Sequence, residues 1–127
     1  MEHELITLTR ELLDCVARVD VEKYESLCDP SLTGIEPASM GQILEGFEFH
    51  RANLAIKKTD GAPASILSPK VRVVGDVGIV SFARINRRLS GDGMLQFVGW
   101  METRVWQRTD GHWKQIHFHR SGIQYSG

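Results

Sequence analysis

The chain carries almost no net charge, with 15 basic and 16 acidic residues summing to −1. Domains that grip nucleic acid or an anionic membrane surface carry a basic excess, so neither partner is expected. No stretch approaches the ~18 apolar residues of a membrane span. Cysteine is scarce, and Cys15 and Cys28 lack the spacing of a metal site or a disulfide framework. Both fall in predicted helices and read as buried thiols in a reducing compartment. The first residues, MEHELITLTR, are acidic and have no apolar core segment, which excludes a secretory leader and predicts a cytoplasmic protein. Repeats, linkers and low-complexity tracts are also missing, so residues 1–127 are expected to form one domain.

Within that domain the order of elements is informative. Leu5, Leu8, Leu12 and Val16 recur at helical spacing over residues 4–18. Asp20 is placed to cap a short helix over VEKYESLC, stopped by Asp29-Pro30. SLTGIEP is a candidate short strand, and MGQILEGFEFHRANLAIKK, residues 40–58, is predicted as a third helix. From residue 61 the chain is rich in Val, Ile, Phe and Trp, with Asp-Gly type turns at GDVG, SGDG and TDG. Helices first and an antiparallel meander afterwards predict an α+β fold, with N-terminal helices packed on a strongly bent antiparallel sheet. Trp100, Trp106 and Trp113 on an open sheet would need cover, which predicts pairing between copies.

Arginine supplies ten of the fifteen basic residues. Side chains alternate faces along a strand, so parity groups them. Arg84 falls in phase with Val80 and Phe82, Arg104 with Trp100, Glu102 and Trp106, and Arg120 with Ile116 and Phe118. Gln115, His117 and His119 take the opposite face. Two guanidiniums ~6 Å apart at an effective dielectric of ~20 repel by roughly 3 kcal/mol. Such a cluster calls for acidic partners, for which Glu36 and Glu102 are the candidates, or for a bound anion. Separate structural ion pairs are the plainer alternative. The two histidines are too few for zinc, and His112 and His3 are poorly placed to complete a site, so no metal and no cofactor are expected.

The segments LCDPSLTGIEP, GFEFHR, SPKVRVVGD and METRVWQRTDGHWKQIHFHRSG resemble the association (hub) domain of calcium/calmodulin-dependent protein kinase II, over about residues 4–122. The resemblance implies a nuclear-transport-factor-2-like, cystatin-like cone. It implies dimers paired through their sheets and rings of twelve or fourteen subunits. It also implies a pocket in which Arg84, Arg104, Arg120 and His50 receive a small carboxylate. Lys58 stands where animal hubs carry a tryptophan. The residues contain no kinase lobe, Gly-rich loop or calmodulin-binding helix, so a free-standing hub-like module without catalytic residues is expected. The alternative is a small cone-fold enzyme of the ketosteroid isomerase or polyketide cyclase type. Glu36, Glu102 or His50 would then be the base, and Tyr24 a poor donor.

Overall fold

A computed structural model describes residues 1–55, 65–89 and 91–122. Helix α1 spans Glu4–Arg18. It is capped at its start by His3, whose Nδ1 accepts from the Leu5 N–H at 3.0 Å, and closed by Val19 in the left-handed region. Its buried stripe includes Leu5, Leu12, Leu13 and Cys15. Asp20 caps α2, Val21–Ser26, as predicted. The chain turns at Leu27 and is already extended at Cys28, the first residue of β1, Cys28–Ile35. Cys28 is thus a strand residue and not a helical one. The proline at position 30 biases the residue before it away from the helical region, so the helix ends early.

The predicted third helix is also shorter than its pattern. A 3₁₀ turn at Pro37–Ser39 and a two-residue strand β2, Leu44–Glu45, precede α3, which spans only Glu48–Ala55. Met40, Gly41 and Gly46 all have positive φ, and those left-handed positions interrupt any helix begun at residue 40. Ile43, an apolar residue within the predicted helix, is exposed. Lys58 lies outside the described residues.

Four strands form the meander: β3, Ser65–Val74; β4, Val77–Leu89; β5, Leu95–Thr109; and β6, His112–Gly122. The two-residue turn at Asp110-Gly111 has both residues at positive φ, the geometry that Asp-Gly favours. The sheet runs β2-β1-β6-β5-β4-β3. It is antiparallel except between β1 and β6, which run parallel. The final strand therefore closes back on the first, joining the helical half of the chain to the meander.

Helices cover one face of this sheet. Val80, Phe82, Trp106 and Phe118 from the strands meet Leu5, Leu12, Leu13, Tyr24 and Phe47 from the helical half. The approach of α1 is close enough that a Cβ on Gly78 of β4 would lie 2.2 Å from Leu5 Cδ1. Trp106 is fully buried in this core. Arg120 lies over Trp100 and Arg108 over Trp113. The tryptophans are therefore packed within the chain, so the apolar face that pairing between copies would cover is not theirs.

Candidate functional site

The inner face carries its charged residues in adjacent rows. Strand register aligns Phe82, Glu102 and Arg120 across β4, β5 and β6. One pleat away lie Val80, Arg104 and Phe118, and one pleat the other way lie Arg84 and Trp100. Glu102 is therefore central, with Arg84 and Arg104 as diagonal neighbours. Arg84, Glu102 and Arg104 are all at most 3% exposed.

Glu102 serves both arginines. Arg104 donates to its Oε1 from Nε at 3.0 Å and Nη2 at 2.5 Å. Arg84 Nε approaches the other oxygen, Oε2, at 2.5 Å without hydrogen-bond alignment. The remaining reach of Arg104 is also used, since Nη1 donates to Gln115 Oε1 at 2.9 Å and to the Tyr24 hydroxyl at 3.3 Å. Its guanidinium lies 4.8 Å from the centre of the Phe118 ring. Arg120 donates from Nη2 to Glu36 Oε2 at 2.9 Å and stacks 4.5 Å from the centre of Trp100.

Electrostatics follow from burial and from these neighbours. Burial favours the neutral acid at Glu102, yet the adjacent Arg104 and Arg84 overcome it and hold its carboxyl below the usual range. Burial lowers Arg84 to about 10, against the pull of Glu102. Arg104 moves the other way, because its attraction to Glu102 outweighs its own desolvation. His50 on α3 is buried among Phe118, Tyr24, Phe47 and Phe49, with ring centres 5.0–5.9 Å apart. Burial first, and then the fields of Arg104 and Arg120, depress its pKa to about 4, so it is neutral at pH 7.

All six residues named from the sequence meet on this inner face. Two arginines retain unused capacity among the described residues: Arg84 at Nη2 and Arg120 at Nε. Glu36 Oε1 and His50 Nε2 are likewise buried without a hydrogen-bond partner. Among the described residues the census is three guanidiniums against two carboxylates, a surplus of one positive charge, given that His50 is neutral.

Gln115 was missed, and its parity was wrong. Trp106 pairs with Gln115 while Val105 pairs with His117, leaving Ile116 as an extra, unmatched residue. This β-bulge turns Gln115 inward, where it is fully buried and links Arg104 to the Cys28 sulfur, which accepts from Nε2 at 3.3 Å. Tyr24, read above only as a poor donor, takes a different part here. Its hydroxyl helps to fix Arg104, and burial pushes its pKa up. His117 keeps to the outer face, with Nδ1 2.7 Å from the Thr33 hydroxyl. Among the described residues no group of three potential metal ligands exists. None of the described helices is long and apolar enough to cross a membrane.

Comparison with known proteins places this architecture. Residues 1–124 match the model of the calcium/calmodulin dependent protein kinase II association domain. The chain is 38% identical over 125 residues to the calcium/calmodulin-dependent protein kinase type II subunit delta of Oryctolagus cuniculus. That match covers 95% of this chain but only 24% of the rabbit protein. The hub homology domain of Chlamydomonas reinhardtii superposes with a TM-score of 0.86 at 36% identity, covering 95% of this chain and 97% of that one. At the level of fold alone, an NTF2-like protein from Cytophaga hutchinsonii gives a TM-score of 0.73 at 23% identity, covering 97% of this chain and 100% of that one. With a family match over nearly its whole length, helices on one face of an open six-stranded sheet, and hub domains among its structural relatives, the chain belongs to the calcium/calmodulin-dependent protein kinase II association-domain family.

Proposed function

We propose that this chain is a non-catalytic assembly module whose inner charged cluster receives a small carboxylate. The observation that carries the reading is the uneven charge of the cluster. Among the described residues, Arg84, Arg104 and Arg120 face only Glu36 and Glu102, and two guanidiniums keep buried N–H groups without acceptors. An unpaired buried donor costs on the order of 1–3 kcal/mol. A monocarboxylate placed against Arg84 and Arg120 would supply both the missing acceptors and the missing charge. Arg104, already bonded to Glu102, Gln115 and Tyr24, is the framework and not the seat.

The same pairing weighs against the enzymatic alternative. A general base poised near neutrality needs a carboxylate freed from cationic partners. Glu102 lies between two arginines and Glu36 is bonded to Arg120.

Copies are proposed to associate through the outer sheet face. Leu95, Phe97 and Met101 on β5 share that phase with Leu67 on β3, and all four are 41–66% exposed. Light scattering should give a multiple of the 14.3 kDa protomer, and a monomer at micromolar concentration overturns self-association. For the ligand, a panel of short carboxylates should raise the melting temperature. The gain follows RT ln(1 + [L]/Kd), about 2.7 kcal/mol at a hundredfold excess. The Arg120→Gln variant should lose most of the response. A flat panel, or a response unchanged in that variant, refutes the carboxylate seat.

A further inference from the structure

The outer sheet face, through which copies are proposed to associate, carries two histidines of β6. Register sets them in neighbouring rows across the sheet. One row runs from Glu45 through Thr33 and His117 to Arg72. The next runs from His119 through Thr103 and Ser81 to Lys70. Met101, one of the exposed apolar residues of the proposed contact, pairs with Ser121, the next outward residue of β6 after His119. His119 and Met101 are thus diagonal neighbours. A second copy laid on the apolar patch covers the imidazoles as well.

Their immediate surroundings hold hydroxyls and apolar groups. His117 Nδ1 lies 2.7 Å from the Thr33 hydroxyl, and His119 Nε2 lies 3.4 Å from that of Ser121. Their register partners on β5 are Val105 and Thr103, and on β1 Thr33 and Ile35. Of the described acidic residues only Glu45 falls in either row, and β1 separates it from His117. Glu36 and Glu102 are engaged by the arginines of the inner face. The other charged groups nearby are cations: Lys70 and Arg72 on β3, and Lys114 on β6, which donates to the Ser26 carbonyl. With neutral imidazoles the two rows set two bases against one acid, and protonation adds two more positive charges. An isologous contact presents the same surface from both copies, so that excess meets its own image. Burial, and then His119, already lower the pKa of His117 within one copy, and cover by a second adds desolvation.

We propose that His117 and His119 make assembly acid-sensitive: copies associate while both imidazoles are neutral and separate when they are protonated. The inference rests on the outer-face association proposed above and adds its regulation. Imidazole is the side chain that ordinarily changes charge between pH 5 and 8. The sign follows from linkage. A contact that excludes the proton is at full strength where the separate copies hold neutral imidazole, and it weakens as falling pH protonates them. One proton excluded per copy weakens a pair about a hundredfold at one pH unit below the ordinary imidazole value. At that pH His50, with a pKa of about 4, stays neutral, so the inner cluster is unchanged.

Light scattering over a dilution series tests it, at about pH 7.5 and about pH 5.5 and fixed ionic strength. Circular dichroism on the same samples checks that the chain stays folded. The association constant should be about a hundredfold or more weaker at the lower pH. In the double variant His117→Gln, His119→Gln the constants at the two pH values should agree, whatever their common value. Equal constants in the parent overturn the acid response and leave self-association standing. A double variant that keeps the parent's ratio also overturns it, because other groups then carry the effect. A chain that is monomeric at both pH values overturns the outer-face association and the acid response with it. If dilution separates the parent at neither pH, Phe97→Ser weakens the contact into range, and a constant that ignores pH in that variant overturns the proposal.

Discussion

Replacing Glu102 with Gln is the most searching perturbation of the inner cluster. The substitution keeps the shape and one acceptor oxygen but removes the charge that Arg84 and Arg104 share at 2.5 Å each. Both guanidiniums would then be buried, at 2% and 3% exposure, with no counter-ion in contact. Removing one partner of a buried pair costs about 3–5 kcal/mol, because the other charge is left uncompensated. With an unfolding entropy near 2.1 cal/mol/K per residue, a 127-residue chain should lose about 11–19 °C in melting temperature. The pH dependence sharpens the test. Glu102 has a folded pKa below its ordinary 4.5, so its contribution is complete above that value and fades as pH falls through the depressed one. Urea denaturation at fixed protomer concentration should therefore show a large gap between parent and variant at pH 7. The gap should narrow below about pH 4.5. A gap under about 1 kcal/mol at pH 7, or one that does not change with acid, would refute the reasoning, since surface pairs alone are worth that little.

Three further outcomes follow from the packing. Gly34→Ala puts a Cβ 2.2 Å from Phe118 Cε1, so it should cost about 1–3 kcal/mol in denaturation, and Phe118→Leu should recover part of the loss in the double variant. Burial pushes the Cys28 thiol up to about 12, so only about one molecule in 10⁴ is thiolate at pH 8. Ellman's reagent should not label it in the folded protein, and labelling at the rate of a free thiol would contradict the packing. His50 has a folded pKa near 4 against 6.5 unfolded, so its stabilising contribution is full above pH 6.5 and declines as pH drops toward 4. His50→Gln should flatten the fall of the urea midpoint between those values, and a variant whose profile parallels the parent would show that His50 is not responsible.

Much of this was legible from residue patterns, for reasons that also explain the failures. Helix α1 and the cap of α2 were found because apolar period and capping chemistry are local signals. The arginine cluster was found because β4 and β5 pair without interruption from Val77 to Leu89, so parity propagates across them. The start of α3 was misplaced because apolar spacing continued through Met40 and Gly46, where the backbone is left-handed. Gln115 was misassigned because a bulge is a relation between two strands, and no single strand announces it. The parallel contact of β1 with β6 joins residues more than eighty positions apart, beyond the range of any local signal.

Ile116 is the residue by which β6 exceeds β5, so its neighbours Gln115 and His117 face opposite sides although they stand two apart in sequence. Deleting it would make them adjacent, and ordinary alternation would still turn Gln115 inward and His117 outward, leaving Arg104 its acceptor and the Cys28 sulfur its donor. What the deletion removes is the added bend and twist that a bulge gives its strand. A residue taken from any regular position of β6 would instead invert every side chain on one side of the gap, so tolerance of a shortened strand should be confined to this one position.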